Sequence, residues 1–174
     1  MARFGSFVDA IAAPPRRLTE IDGMTSGAIA EFKFLEAAVQ RFTKGTMKKR
    51  LPLGSEREVV DYCRTAMAFE EREIFRVLFL DKKNALIADE VQGVGTVDHA
   101  PVYPREVIRR ALELSASAII LVHNHPSGDP TPSTRDVNLS LDIVASSKAL
   151  GLTVHDHIIV ARQGHASLKG MRLI

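Results

Sequence analysis

A run of consecutive apolar residues, Ala118 to Val122, marks the centre of the predicted fold. A strand without polar alternation is typical of the interior of a sheet whose two faces are covered by helices. Helical patterns flank it, one from Pro104 to about residue 115 and one from Ser133 to about residue 150, where Gly151 ends it. The sequence therefore predicts a buried strand between two helices.

The neighbouring segments supply further strands and one more helix. Ser55 and Glu58 form a capping-box pattern at the start of a helix, and Gly93 and Gly95 predict a bulge or bend at the end of a hairpin. The predicted elements are helix 56–68, strands 74–80 and 85–91, helix 104–115, strand 118–122, helix 133–150, and strands 153–160 and 166–168. This order predicts an α/β fold with a mixed, partly antiparallel sheet flanked by helices.

The first 50 residues differ in composition from the rest. Residues 41–50 hold five basic residues and no acidic one, and Leu-Pro-Leu-Gly follows, so we predict a linker near residues 44–54. The predicted domains are a small helical segment with a basic linker at 1–50 and the α/β domain at 51–174. A glycine-containing turn at 23–27, followed by apolar positions at helical spacing, resembles one hairpin of a helix-hairpin-helix unit. A packing element without a ligand is an equal alternative.

The amino-acid composition limits the residue types that could hold a metal ion. The chain has 174 residues, 45% of them hydrophobic and 25% charged, with a net charge of +2, as in an ordinary globular protein. The single cysteine, Cys63, excludes an intramolecular disulfide and a cysteine-rich zinc finger. Charged residues and proline interrupt the first segment, so we predict no signal peptide, and no apolar run approaches roughly 18 residues. We expect a cytoplasmic protein without a membrane span, in which histidine and carboxylate side chains hold any metal.

The chemistry-bearing residues follow the buried strand. His123 and His125 are two positions apart and should point to the same side, because side chains alternate along a strand. A proline-rich loop leads to Ser133 and Asp136 at the start of the next helix, where Asp136 can face the two histidines. Two histidines and a carboxylate form a zinc-hydrolase ligand set. Taken alone, Ser133 and Asp136 also fit a helix cap, and the His-x-His pair fits ordinary hydrogen bonding.

The chain carries a pattern in which His-x-His is followed by seven residues, a Ser, two further residues and an Asp. This pattern resembles the JAMM motif of MPN+ (JAB) metalloprotease domains. The segment HNHPSGDPTPS resembles the RadC family within that group. The resemblance extends over residues 55–174, including the Pro-Arg-Glu-Val helix start and the Asp-His-Ile-Ile-Val strand. It implies a JAB/MPN, cytidine-deaminase-like architecture and a hydrolase acting on a peptide or isopeptide bond of a protein or peptide substrate.

The resemblance also implies roles for individual residues. Zn²⁺ would be held by His123, His125 and Asp136, and Ser133 would donate a hydrogen bond to the oxyanion of the intermediate. The proton acceptor would be the glutamate five residues before Gly95, which is Glu90, preferred over the adjacent Asp89.

Two other hypotheses remain open. The basic segment 41–50 and the glycine turn permit a DNA-associated module, since RadC proteins carry a DNA-repair label, with a structural or vestigial metal site. A solvated basic linker explains the same residues. For His155 and His157 we predict structural roles within a strand in preference to contacts that support the metal ligands.

Overall fold

The computed structural model describes residues 4–50, 56–95 and 100–174. The chain divides into two compact units, Met1–Thr46 and Met47–Ile174.

The N-terminal unit is helical. It contains α1 (Phe7–Ala12), α2 (Pro15–Leu18) and the start of α3 (Ser26–Arg50). Gly23 adopts a φ of +81°, which favours glycine, and so forms the predicted turn before α3. Residues 44–50 of the predicted linker continue α3, because lysine, arginine and methionine are good helix formers that outweigh one glycine. The boundary between the two units falls within the predicted range 44–54.

Residues 51–54 of the predicted linker lie outside the described residues, as do the side chains of 43–50. DNA contact through this basic segment stays a prediction of the sequence. Within the described part of the chain, no helix is long and apolar enough to cross a membrane.

The C-terminal unit contains the α/β fold that the sequence predicts. Its elements are α4 (Glu56–Met67), β1 (Ile74–Leu80), β2 (Leu86–Val94), α5 (Pro104–Glu113), β3 (Ala118–Asn124), α6 (Thr134–Ala149), β4 (Thr153–Ala161) and β5 (Gly164–Ser167). The predicted order and the α/β class are confirmed. Ser55, the predicted cap of α4, lies outside the described residues.

The five strands form one mixed sheet in the order β2-β1-β3-β4-β5. β3 and β4 are parallel and the other neighbours are antiparallel. All seven residues of β3 are buried, as expected for a strand covered on both faces.

Alternate residues of the central strands enter two separate cores. Ile120 and Val122 face α4 and pack with its buried residues. Ile119 and Leu121 face the other side, where they pack with residues of α5 and α6. His123 continues this second series, so its side chain points to the α5 and α6 side of the sheet.

The predicted bulge lies at the end of β2. Phe75 pairs with Gly93 and Arg76 pairs with Val91, which leaves Gln92 as the extra residue. A Cβ atom at Gly93 would lie 2.6 Å from the carbonyl oxygen of Pro101, so only glycine allows this close approach.

Cys63 is fully buried in the core beneath α4. Burial raises the pKa of its thiol well above the usual value, and the charge of Asp89 adds to this effect. The thiol therefore stays protonated and has no role as a nucleophile.

Candidate metal centre

Three side chains meet where β3 ends and α6 begins. Nε2 of His123 lies 3.0 Å from Nε2 of His125 and 3.3 Å from Oδ1 of Asp136. Nε2 of His125 lies 3.5 Å from Oδ2 of Asp136. One donor atom from each residue lies within 4.8 Å of the others, so the three can hold one metal ion.

The loop between the strand and the helix holds His125 in place. The His125 amide donates to the carbonyl of Val160, which extends the pairing of β3 with β4. Gly128 turns the chain with a φ of +96°. The Asp129 carbonyl then returns to accept a hydrogen bond from Nδ1 of His125 at 2.8 Å.

The helix cap positions Asp136. Its Oδ2 accepts hydrogen bonds from the Ser133 amide at 2.7 Å and from the Ser133 hydroxyl at 2.6 Å, and Ser133 Oγ accepts from the Asp136 amide at 3.2 Å. This is a complete capping box. The Ser-x-x-Asp pattern is therefore compatible with a helix cap and with a metal ligand at the same time. The cap orients the Asp136 carboxylate towards the histidines.

The arrangement fits a metal ion. A carbonyl oxygen only accepts, so the contact with Asp129 requires Nδ1 of His125 to carry the hydrogen and leaves Nε2 with a lone pair in the neutral ring. Electron-pair donors as close as these repel one another unless a proton or a cation lies between them. Two imidazoles and one carboxylate are a known ligand set for divalent transition metals.

Electrostatic effects in the cluster favour the anionic form of Asp136. Burial acts to raise the pKa of Asp136, but hydrogen bonds with His123, His125 and Ser133 hold it well below its usual value. Burial acts to lower the pKa of His125, while its bonds to Asp136 and the Asp129 carbonyl raise it on balance. Asp136 is thus an anion, as a metal ligand must be.

A family model described as a RadC-like JAB domain matches residues 53–173. The chain belongs to this family. The match covers the whole five-stranded sheet and the three clustered residues, so the family resemblance drawn from the HNHPSGDPTPS segment is confirmed.

A second carboxylate of this RadC-like JAB domain lies beside the cluster. Glu73 immediately precedes β1 and is 9% exposed. Its negative charge is among the interactions that raise the pKa of His125. Its Oε1 accepts a hydrogen bond from the Ala100 amide at 3.0 Å. The sequence motifs do not single out Glu73. The signal for it is an acidic residue directly before a buried strand, but Glu70 and Glu71 precede it closely.

Asn124 ties the Glu73 segment to the histidines. It is fully buried between His123 and His125 in the sequence, and its side chain points to the opposite side of β3. Its Oδ1 accepts from the Ile74 amide at 2.8 Å, and its Nδ2 donates to the Arg72 carbonyl at 2.9 Å. Both neighbours of Glu73 are therefore held against the end of β3.

Glu90 is placed elsewhere. Glu90 pairs with Val77 of β1, and Val77 pairs on its other side with Leu121 of β3. Leu121 is two residues before His123. Strand spacing then places the Cα atoms of Glu90 and His123 roughly 12 Å apart. The Glu90 carboxylate accepts two hydrogen bonds from Arg110, at 2.6 and 2.8 Å, and these lower its pKa. The structure therefore engages Glu90 in an ion pair with α5.

Asp89, the rival of Glu90, faces the opposite side of the sheet. It pairs with Leu78, which packs in the core beneath α4. Its carboxylate binds Arg76 at 2.7 Å and accepts a hydrogen bond from Tyr62. Asp89 is thus part of a buried polar network that lies across the sheet from His123.

The two histidines of β4 behave differently from each other. Nε2 of His155 lies 2.7 Å from Oδ1 of Asn84, which is in the turn between β1 and β2. His157 is fully buried, and its Nε2 lies 2.7 Å from Nδ1 of His123. The predicted preference for a structural role is therefore wrong for His157, because the parallel pairing of β3 and β4 brings it against a clustered histidine.

Proposed function

We propose that this RadC-like JAB domain is a zinc-dependent hydrolase that cleaves an amide bond of the peptide or isopeptide type. The observation that carries the proposal is the convergence of two histidine Nε2 atoms and the Asp136 carboxylate beside the buried acid Glu73. A cap or a hydrogen-bonded turn alone would not need four ionisable groups at one strand end.

His123, His125 and Asp136 are the residues that would hold the zinc ion. When bound, zinc supplies Lewis acidity and lowers the pKa of a coordinated water towards about 7. Three protein ligands are typical of catalytic zinc sites, which keep a position free for water or substrate.

Glu73 is the proposed proton acceptor. It would take a proton from the attacking water and deliver it to the amine that leaves when the amide C–N bond breaks. Glu73 supports this role better than Glu90, since the charge of Glu73 acts on His125 while the Glu90 carboxylate is bound by Arg110. Its hydrogen bond from the Ala100 amide fixes one oxygen of the Glu73 carboxylate.

Ser133 is proposed to stabilise the oxyanion of the intermediate. Its hydroxyl donates to Asp136, so this role requires the hydroxyl to rotate towards the substrate carbonyl oxygen. Replacing Ser133 with Gly keeps a residue that is tolerated at the N-cap, at a cost of a few tenths of a kcal/mol. We expect Ser133→Gly to lower kcat by about 10²-fold while the melting temperature changes little. Equal kcat values for the wild type and Ser133→Gly would show that Ser133 takes no part in the reaction.

The test of the proposed function combines metal content with hydrolysis. Purified protein should bind one zinc ion per chain, and zinc-loaded protein should cleave members of a pool of fluorescence-quenched peptides and lysine-linked isopeptides. Chelation should stop cleavage and added zinc should restore it. Asp136→Ala should lose both zinc and cleavage, because only two of the three ligands remain.

Asp142→Ala is a matched control on the same helix, outside the cluster. It should keep zinc and cleavage at wild-type levels. Full zinc occupancy in Asp136→Ala would refute the ligand set. Absence of zinc-dependent cleavage throughout the pool would refute the hydrolase.

A further inference from the structure

Ser140 and His157 connect two of the clustered residues through the protein interior. Nδ1 of His157 lies 2.5 Å from the Ser140 hydroxyl, and Nε2 of His157 lies 2.7 Å from Nδ1 of His123. The Ser140 hydroxyl in turn donates to the backbone carbonyl of Asp136 at 2.5 Å. Ser140 and His157 are both fully buried, so water does not compete for these bonds.

The hydrogens in this chain of contacts can be placed from its end. The Asp136 carbonyl only accepts, so the Ser140 hydroxyl gives its single hydrogen to it and must accept from His157. His157 therefore carries its hydrogen on Nδ1 and offers a lone pair at Nε2. His123 then donates from Nδ1, which leaves its Nε2 without a hydrogen and directed at the cluster.

The His157 side chain is fully buried, and its two nitrogens contact a hydroxyl and an imidazole, neither of which carries a negative charge. Helix geometry adds to the arrangement: Ser140 lies one turn after Asp136, so the metal-facing carboxylate and the hydroxyl share one side of α6.

We propose that Ser140 and His157 are positioning residues that fix the tautomer of His123, so that Nε2 is its metal-binding nitrogen. His125 reaches the same tautomer through the Asp129 carbonyl, whereas Nδ1 of His123 contacts His157, which in turn contacts Ser140. The inference rests on the metal site of the proposed function and does not depend on hydrolysis.

Ser140→Ala removes the acceptor for His157 with a small change in volume. His157 is then free to move its hydrogen to Nε2, which forces His123 to accept at Nδ1 and to carry a hydrogen on its metal-facing nitrogen. We expect zinc affinity, measured by competition with a chromogenic chelator, to fall about 10-fold to 100-fold.

Ser147→Ala is the matched control. Ser147 lies on the same helix and is equally buried, and its hydroxyl has no hydrogen-bond partner among the described residues. This variant should bind zinc as the wild type does. An equal loss of affinity in both variants would show that only packing in α6 matters and would overturn the proposal.

A second measurement reports the tautomer directly. Long-range ¹⁵N–¹H correlation spectra of the zinc-free wild type should show His123 with its hydrogen on Nδ1, and Ser140→Ala should show loss of that form. Unchanged zinc affinity, or an unchanged His123 tautomer, in Ser140→Ala would overturn the proposal. Wild-type protein that binds no zinc would overturn the metal site as well, whereas zinc binding without cleavage would refute the hydrolase alone.

Discussion

Glu73→Gln is expected to reduce kcat for amide cleavage by about 10²-fold to 10⁴-fold, the range typical of losing a general base. Glutamine keeps an oxygen that can accept from the Ala100 amide, so the local fold should persist. It cannot take up a proton at neutral pH. Zinc content should stay at the wild-type level, because Glu73 is not one of the three clustered ligands.

Glu90→Gln is the matched comparison for this experiment. It removes the same charge from a carboxylate that binds Arg110, and we expect kcat to remain close to the wild-type value. The two variants therefore show whether Glu73 or Glu90 is the proton acceptor. If Glu90→Gln abolishes cleavage while Glu73→Gln stays active, the proton acceptor is Glu90, as the sequence predicts.

Asp89→Ala is expected to lower the free energy of unfolding by about 3–5 kcal/mol. The Asp89 side chain is 0% exposed and that of Arg76 is 17% exposed, so the substitution leaves a largely buried guanidinium without its carboxylate. Tyr62 also loses the acceptor of its hydroxyl. Urea denaturation monitored by circular dichroism measures the change.

Asp61→Ala provides the control for stability. Asp61 lies on α4 and contacts Arg57 at 3.8 Å, with both side chains exposed. Exposed pairs contribute little, so the change in unfolding free energy should stay below about 1 kcal/mol. A similar small effect for Asp89→Ala would mean that water reaches Arg76 once the carboxylate is gone.

The element order was predictable because its signals are local. The unbroken apolar run of β3 shows that both faces of the strand are covered, and Gly93 marks the bulge because a Cβ atom there would meet Pro101. The composition break at residues 44–54 did not show that residues 44–50 continue α3. Basic residues have good helix propensity, and a change in charge composition does not by itself end a helix.

The three candidate metal ligands could also be predicted from the sequence. The alternation of side chains brings His123 and His125 to one side, and a short loop with a helix cap returns Asp136 to them. All three residues lie within 14 positions of one another, so local geometry limits where each can point.

The contacts of Glu73, Glu90 and His157 depend on tertiary structure. The sequence pattern favours Glu90, but strand register and Arg110 hold it away, while the Asn124 side chain anchors the segment that carries Glu73. His157 meets His123 because β3 and β4 pair in parallel across 34 positions of chain.

The sequence by itself thus determined the order of the elements, the α/β class and the three residues that can bind a metal. Only the tertiary structure decided the contacts of Glu73 and Glu90 and brought His157 against His123. The physical reason is that periodicity, capping and loop length act over a few residues. The partner of a carboxylate or an imidazole, in contrast, depends on which strands pair and in which register.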